Sequence, residues 1–168
     1  MIKMKTGILV LISTLTILSA CSSSSNTARS ENKAESFERT AALIESGNYQ
    51  FTARSASPTG GRTIQITSPY TMKAVDGSYE ALLPYFGQAY SGGYGQGGSV
   101  EFKGEPENLQ IQRNDKRHKI TVRFSISSSG ERYEVKMDVG ASGYGNLLIS
   151  GSKRKTISYN GLIGAPEN

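Results

Sequence analysis

The sequence predicts a mainly β domain: a single antiparallel β-sheet of about nine to ten short strands, sandwich or partial barrel, with one N-terminal amphipathic helix packed on it. Three observations lead there. Apolar and polar residues alternate in short runs from Tyr49 to Ile163, the period of a half-buried strand. Turn-forming residues punctuate these runs about every ten residues, the rhythm of all-β folds. One stretch alone, 31–46, spaces its apolar residues at three and four, so no helix remains to cross between parallel strands. At 168 residues, the chain suits one domain with a proper core.

The elements follow in order. Lys3 and Lys5 precede an apolar run from Gly7 to Leu18, and Leu18-Ser19-Ala20-Cys21 closes it. A basic start, a short apolar core and small residues before a cleavage point make residues 1–20 a secretory signal peptide. The run is shorter than the ~20 apolar residues that span a bilayer. Its end resembles the bacterial lipobox, in which the residue matching Cys21 receives a diacylglycerol and becomes the new amino terminus. Cys21 is the sole cysteine. Two or three acyl chains hold a protein stably at about 0.8 kcal/mol per buried methylene. Residues 21–33 are small or polar and read as a flexible tether. By resemblance to lipoprotein sorting rules, Ser22 to Ser25, with no Asp after the lipid site, imply the outer membrane and a domain facing the periplasm.

Within 31–46, Ala34, Phe37, Ala41 and Ile44 form one stripe, with Ser30 as N-cap and Gly47 as the left-handed stop. The period then becomes two. Strands are expected at Tyr49–Ala53, Ile64–Ile66, Tyr70–Ala74, Tyr79–Leu83, Val100–Lys103, Leu109–Gln112, Lys119–Ile126, Arg132–Val139, Tyr144–Ile149 and Thr156–Ile163. Between them lie the turns Pro58-Thr59-Gly60-Gly61, Asp76-Gly77, Asn114 to Arg117, Ser127 to Gly130, Gly140 to Gly143 and Gly151-Ser152-Lys153. One domain spans 34–164, and 165–168 form a tail.

Four stretches carry a family resemblance: Tyr49-Gln50-Phe51-Thr52-Ala53, Thr67-Ser68-Pro69-Tyr70, Leu83-Pro84-Tyr85-Phe86-Gly87-Gln88-Ala89-Tyr90 and Ile157-Ser158-Tyr159-Asn160-Gly161. Over roughly Ser36 to Ile163 the chain resembles the uncharacterised bacterial lipoprotein family known as domain of unknown function 4251. The resemblance implies the envelope address and a single domain. It brings no catalytic residue.

Composition narrows the function classes. The chain has 19 Lys+Arg against 14 Asp+Glu; Lys3 and Lys5 fall in the signal segment, leaving 17 against 14 beyond it. That is too mildly basic for nucleic acid. One Cys and one His leave no thiolate zinc site and no His-rich metal site, so neither metal nor cofactor is expected. Gly93, Gly95 and Gly98 fit G-x-G-x-x-G, but Val100 to Lys103 after them reads as a strand. Without a helix amino terminus to hold the pyrophosphate, no nucleotide partner is expected.

No catalytic constellation emerges. His118 has no marked nucleophile to serve, and no Gly-x-Ser-x-Gly elbow precedes a helix. Glu101, Glu105 and Glu107 around Pro106 lack calcium-loop spacing and read as solvated turn charges. The basic runs Arg113 to Lys119 and Lys153-Arg154-Lys155 read as solvated tips rather than contacts to lipid phosphates. The glycine-rich connection Gly87 to Ser99 is the candidate site. Tyr85, Tyr90 and Tyr94 are candidate contacts for a ligand or partner, a tyrosine ring being apolar on its face and polar at its tip. Phe86 is expected to be buried as the hinge. The leading expectation is a membrane-anchored, non-catalytic binding domain for a protein, glycan or apolar ligand. A lipid or lipoprotein carrier, chaperone-like in character, is the second reading, and a hydrolase with an unrecognised site the third.

Overall fold

The computed structural model describes residues 24–87 and 98–167; of 24–28 only the backbone is described. Residues Lys33–Asn168 make one compact unit and Met1–Asn32 another. The described part of the second unit is the start of a helix, α1 (Ser24–Glu45). The helix begins well before Glu31, so Ser30 lies inside it and caps nothing, and residues 24–33 are helical rather than a loose tether. Among the described residues no helix is long and apolar enough to cross a membrane.

The compact unit is built from ten strands: β1 (Tyr49–Pro58), β2 (Ile64–Gln65), β3 (Thr71–Val75), β4 (Ser78–Pro84), β5 (Ser99–Gly104), β6 (Glu107–Asn114), β7 (Lys119–Ser128), β8 (Glu131–Gly140), β9 (Tyr144–Gly151) and β10 (Arg154–Gly164). They form one antiparallel sheet in the order β5-β4-β3-β1-β10-β9-β8-β7-β6, with β2 paired to β1 alone. The segment expected as a strand over Ile64–Ile66 shrinks to these two residues, both exposed, because only Ser55 and Ala56 of β1 lie opposite.

Two meanders thus meet at the β1–β10 seam, where the beginning and end of the domain pair. The outermost strands β5 and β6 are consecutive in sequence, joined only by Glu105-Pro106. Three Cα–Cα steps reach at most about 11 Å. A sheet whose two edges are tied this closely has to curl on itself, so the fold is a partial barrel and not a sandwich. Rings meet across the curl: Tyr79 of β4 lies 4.3 Å from Phe124 of β7, and Phe102 of β5 lies 5.6 Å from Tyr133 of β8.

Local chemistry explains the bends. Asp76 and Gly77 both have positive φ, 50° and 81°, the tight hairpin turn whose twist matches its strands. Irregularities in register increase the local twist, at Ala53/Ser55 of β1 in the seam and at Arg154/Ile157 of β10 where it pairs with β9. Gly145 and Gly161 are cross-strand partners. A Cβ on Gly161 would stand 2.1 Å from the Thr52 carbonyl and 2.7 Å from the Phe51 ring, and one on Gly145 3.3 Å from that ring. Two glycines therefore make room for a fully buried Phe51.

The helix closes one end. Phe37, Ala41 and Ile44 are buried, while Ala34 is exposed and drops out of the expected stripe. Ser36 and Thr40 donate from Oγ and Oγ1 to the Ala141 carbonyl at 2.8 and 3.2 Å. The Phe37 ring meets the His118 ring edge-on, with the Arg113 guanidinium 5.2 Å from its centroid. Arg113 is ion-paired to Glu38 and Asp115, so this part of the basic run docks the helix instead of pointing freely into solvent. His118 ends the Asp115–Arg117 turn in the left-handed region. Gly47, at φ 72°, ends the helix where expected.

Candidate functional site

The interior is filled from all sides. Tyr49, Phe51, Met72, Leu83, Ile120, Met137, Leu147, Ile149 and Tyr159 are fully buried, and Tyr49 and Tyr79 hydrogen-bond through their hydroxyls at 3.2 Å. Burial, with Tyr79 beside it, pushes the Tyr49 phenol far above its ordinary range, so it stays neutral. Among the described residues every buried side-chain polar atom has a partner.

Where the chain leaves β4 toward the glycine-rich connection, the sequence reading has to be corrected. Tyr85 is the buried member, 3 % exposed, and Phe86 the exposed one at 41 %. The physical reason is polar. The Tyr85 hydroxyl donates to the Lys155 carbonyl at 3.0 Å, and the Arg154 guanidinium lies 4.9 Å above its ring. A phenylalanine has no tip with which to make that bond. Gly87 is needed here because a Cβ would fall 2.5 Å from the Tyr85 hydroxyl. Tyr90 and Tyr94 lie outside the described residues, as does Cys21.

Arg154, expected in a solvated run, is instead the centre of a clasp. It reaches Glu131, only 6 % exposed, through Nε and Nη2 at 2.8–3.1 Å, and donates to the Ser99 carbonyl at 2.7 Å. The Tyr133 hydroxyl also donates to Glu131, at 3.0 Å. Burial works to raise the Glu131 pKa, but the Arg154 guanidinium and the hydrogen bonds from Arg154, Tyr133 and the Lys153 amide bring it below its ordinary value. Burial pushes the Tyr133 phenol up to about 12, so it remains a donor. This cluster ties β8 and β10 to β5 and to the base of the connection. Its carboxylate and cation satisfy each other.

Outside the clasp, a groove of about 570 Å³ runs over the outer face of β4 and β5 beneath the Thr67-Ser68-Pro69-Tyr70 segment. Tyr70, Leu82, Phe86, Ser68, Gln65 and Glu101 are among its lining residues. Leu82 is 48 % exposed and directly opposite Glu101 in the β4–β5 register, so an aliphatic and a carboxylate stand side by side. The Ser99 hydroxyl donates to Glu101 Oε1. Of the other candidate carboxylates, Glu107 pairs with Arg132 at 2.8 Å and both Glu105 and Glu107 are exposed. Among the described residues no three metal-ligating side chains come together. Sequence reasoning took Glu101 for a solvated turn charge, whereas it lies within β5, and it missed Leu82, although a signal existed. In Ser78 to Leu83 the polar positions are 78, 80 and 82, and Leu82 breaks the alternation. For the Glu131–Arg154 pairing, 23 residues apart, no local signal existed.

These features define a partial β-barrel with a helical cap, a filled interior and a groove on its outside. The chain belongs to the DUF4251 family, a domain of unknown function, whose family model matches residues 31–163. A crystal structure of a DUF4251 family protein from Bacteroides eggerthii DSM 20697 superposes with a TM-score of 0.63 at 17 % identity, over 79 % of this chain and 89 % of that one. At that identity the likeness is one of fold. No curated protein matches the sequence. Two of the stretches that carry the family resemblance, Thr67 to Tyr70 and Leu83 to Gly87, line or flank the same groove.

Proposed function

We propose that the domain is a non-catalytic binding module of an envelope lipoprotein, tethered by lipid on Cys21 to the outer membrane and facing the periplasm, with the outer groove as its binding surface. The observation that carries the reading is the exposure of Leu82 and Phe86 side by side with polar groups in one concavity. Exposed apolar side chains gathered in a groove mark a contact surface, whereas scattered ones need no explanation. A carrier would instead enclose acyl chains, and here the barrel interior is occupied by rings packed 4.3 to 6.3 Å apart. The membrane address rests on the Lys3 to Cys21 pattern.

The test uses the full-length protein in growing cells. A photo-crosslinking amino acid at position 86 should yield a discrete adduct, and one at exposed Glu134, outside the groove on β8, should not. Equal labelling at both positions, or none at 86, would remove the groove as a binding surface.

A further inference from the structure

Resting on that reading, the arrangement of Leu82, Glu101 and Phe86 narrows the ligand, and we propose that the groove takes a chain of N-acetylated hexosamines. The choice follows from the lining. Among the described residues one charged side chain lines it, the carboxylate of Glu101, and no cation does. That disfavours phosphate or carboxylate ligands, whose charge would meet like charge. The hydroxyls of Thr67, Ser68 and Ser99 and the amide of Gln65 make it too polar for an acyl chain alone. A volume of about 570 Å³ lies within the roughly 300–1,000 Å³ of small-ligand sites. It is concave, unlike the broad faces of about 800 Å² per partner on which stable protein complexes rest. A neutral polyhydroxylated ligand with an apolar face fits these limits.

The acetamide follows from the β4–β5 pairing. An acetamido group carries an N–H donor and a methyl a few ångströms apart. Leu82 and Glu101, directly opposite on neighbouring strands, place an aliphatic surface beside a carboxylate acceptor with Cβ atoms ~5 Å apart. Ser99 occupies Oε1 of Glu101, and Oε2 is the oxygen offered to the ligand's N–H. The exposed Phe86 ring supplies the apolar plane on which a pyranose face lies. Binding requires no covalent step and no metal.

The probe is the tetramer of N-acetylglucosamine, titrated into the full-length protein in mild detergent, with a glucose tetramer as the comparison. Saturable binding of the acetylated tetramer is expected, with the glucose tetramer and the Phe86→Ala and Glu101→Ala proteins each at least about tenfold weaker. Leu82, Phe86 and Glu101 are exposed, so the variants should melt within a degree or two of the parent, which shows that the loss is not unfolding. No binding at millimolar tetramer, equal affinity for the two sugars, or indifference to both substitutions would overturn the proposal. A position-86 adduct in cells alongside no tetramer binding would leave the groove as a binding surface for another class of ligand. Absence of both would end both readings.

Discussion

Glu131 and Arg154 show what a single buried pair does in this domain. Taking a carboxylate and a guanidinium out of water is costly, and the geometry offsets it with two Arg154 nitrogens, the Tyr133 hydroxyl and the Lys153 amide on one carboxylate. Glu131→Gln should therefore cost about 2–4 kcal/mol near neutral pH, since Arg154 keeps its buried position without its counter-charge. The pH dependence has a definite sign. The folded-state pKa of Glu131 lies below the ordinary value of 4.5, so its stabilisation is present above that value and lost as pH falls through the folded pKa. Melting curves from pH 7 to pH 3 should show the parent losing its advantage over Glu131→Gln below about pH 4.5. A constant difference across that range would mean that the pair is not what the substitution disturbs. Tyr85→Phe, which removes the bond to the Lys155 carbonyl, should cost about 1 kcal/mol by denaturant titration.

At the scale of elements, the helix and the β1–β10 seam are the parts most exposed to single changes. Ile44 is fully buried on the end of the barrel, so Ile44→Ala should cost about 2–5 kcal/mol, whereas a substitution at exposed Ala34 should stay within about 0.5 kcal/mol. Thermal unfolding of both variants separates a packed cap from a decorative one. Gly161→Ala should lower stability by about 1–3 kcal/mol, because its Cβ meets the Thr52 carbonyl, a backbone atom that cannot swing aside. The paired Gly145 is more forgiving, its contacts being side-chain atoms at 3.3 Å and beyond. These elements were largely legible beforehand. The alternation from Tyr49 onward and the turn residues locate the strands, because a sheet with one face on the core enforces a period of two. Ile64–Ile66 has the same alternation and yields only a two-residue strand, since alternation states a tendency and a neighbour must exist to realise it.

For the whole molecule, the proposed anchor sets where the groove operates. If Cys21 carries the lipid, Cys21→Ala should move the protein from the membrane pellet to the soluble fraction while leaving its melting temperature unchanged, because Cys21 lies outside the compact unit Lys33–Asn168. Retention in the membrane fraction after a high-salt wash would contradict the anchor. The interior is filled across the curl by a chain of rings, Tyr79 on Phe124, Phe124 on Phe102 and Phe102 on Tyr133.

Sequence by itself determined the class, the element order and most turns of this protein: periods of 2 and 3.6 are imposed locally by which face of a strand or helix meets the core. It also marked Gly47 and the Asp76-Gly77 turn, where a positive φ selects the residue. Only the tertiary structure decided that the sheet is a partial barrel, because that depends on which strands are neighbours and on β5 and β6 being tied edges of one sheet. The same holds for the exchange of roles between Tyr85 and Phe86. Both are aromatic, and what buries Tyr85 is a carbonyl 70 residues away together with a guanidinium brought there by folding. The groove belongs to the same kind. Leu82 and Glu101 are 19 positions apart in sequence and opposite one another only once β4 and β5 pair, so their juxtaposition exists in the folded molecule and nowhere in the linear chain.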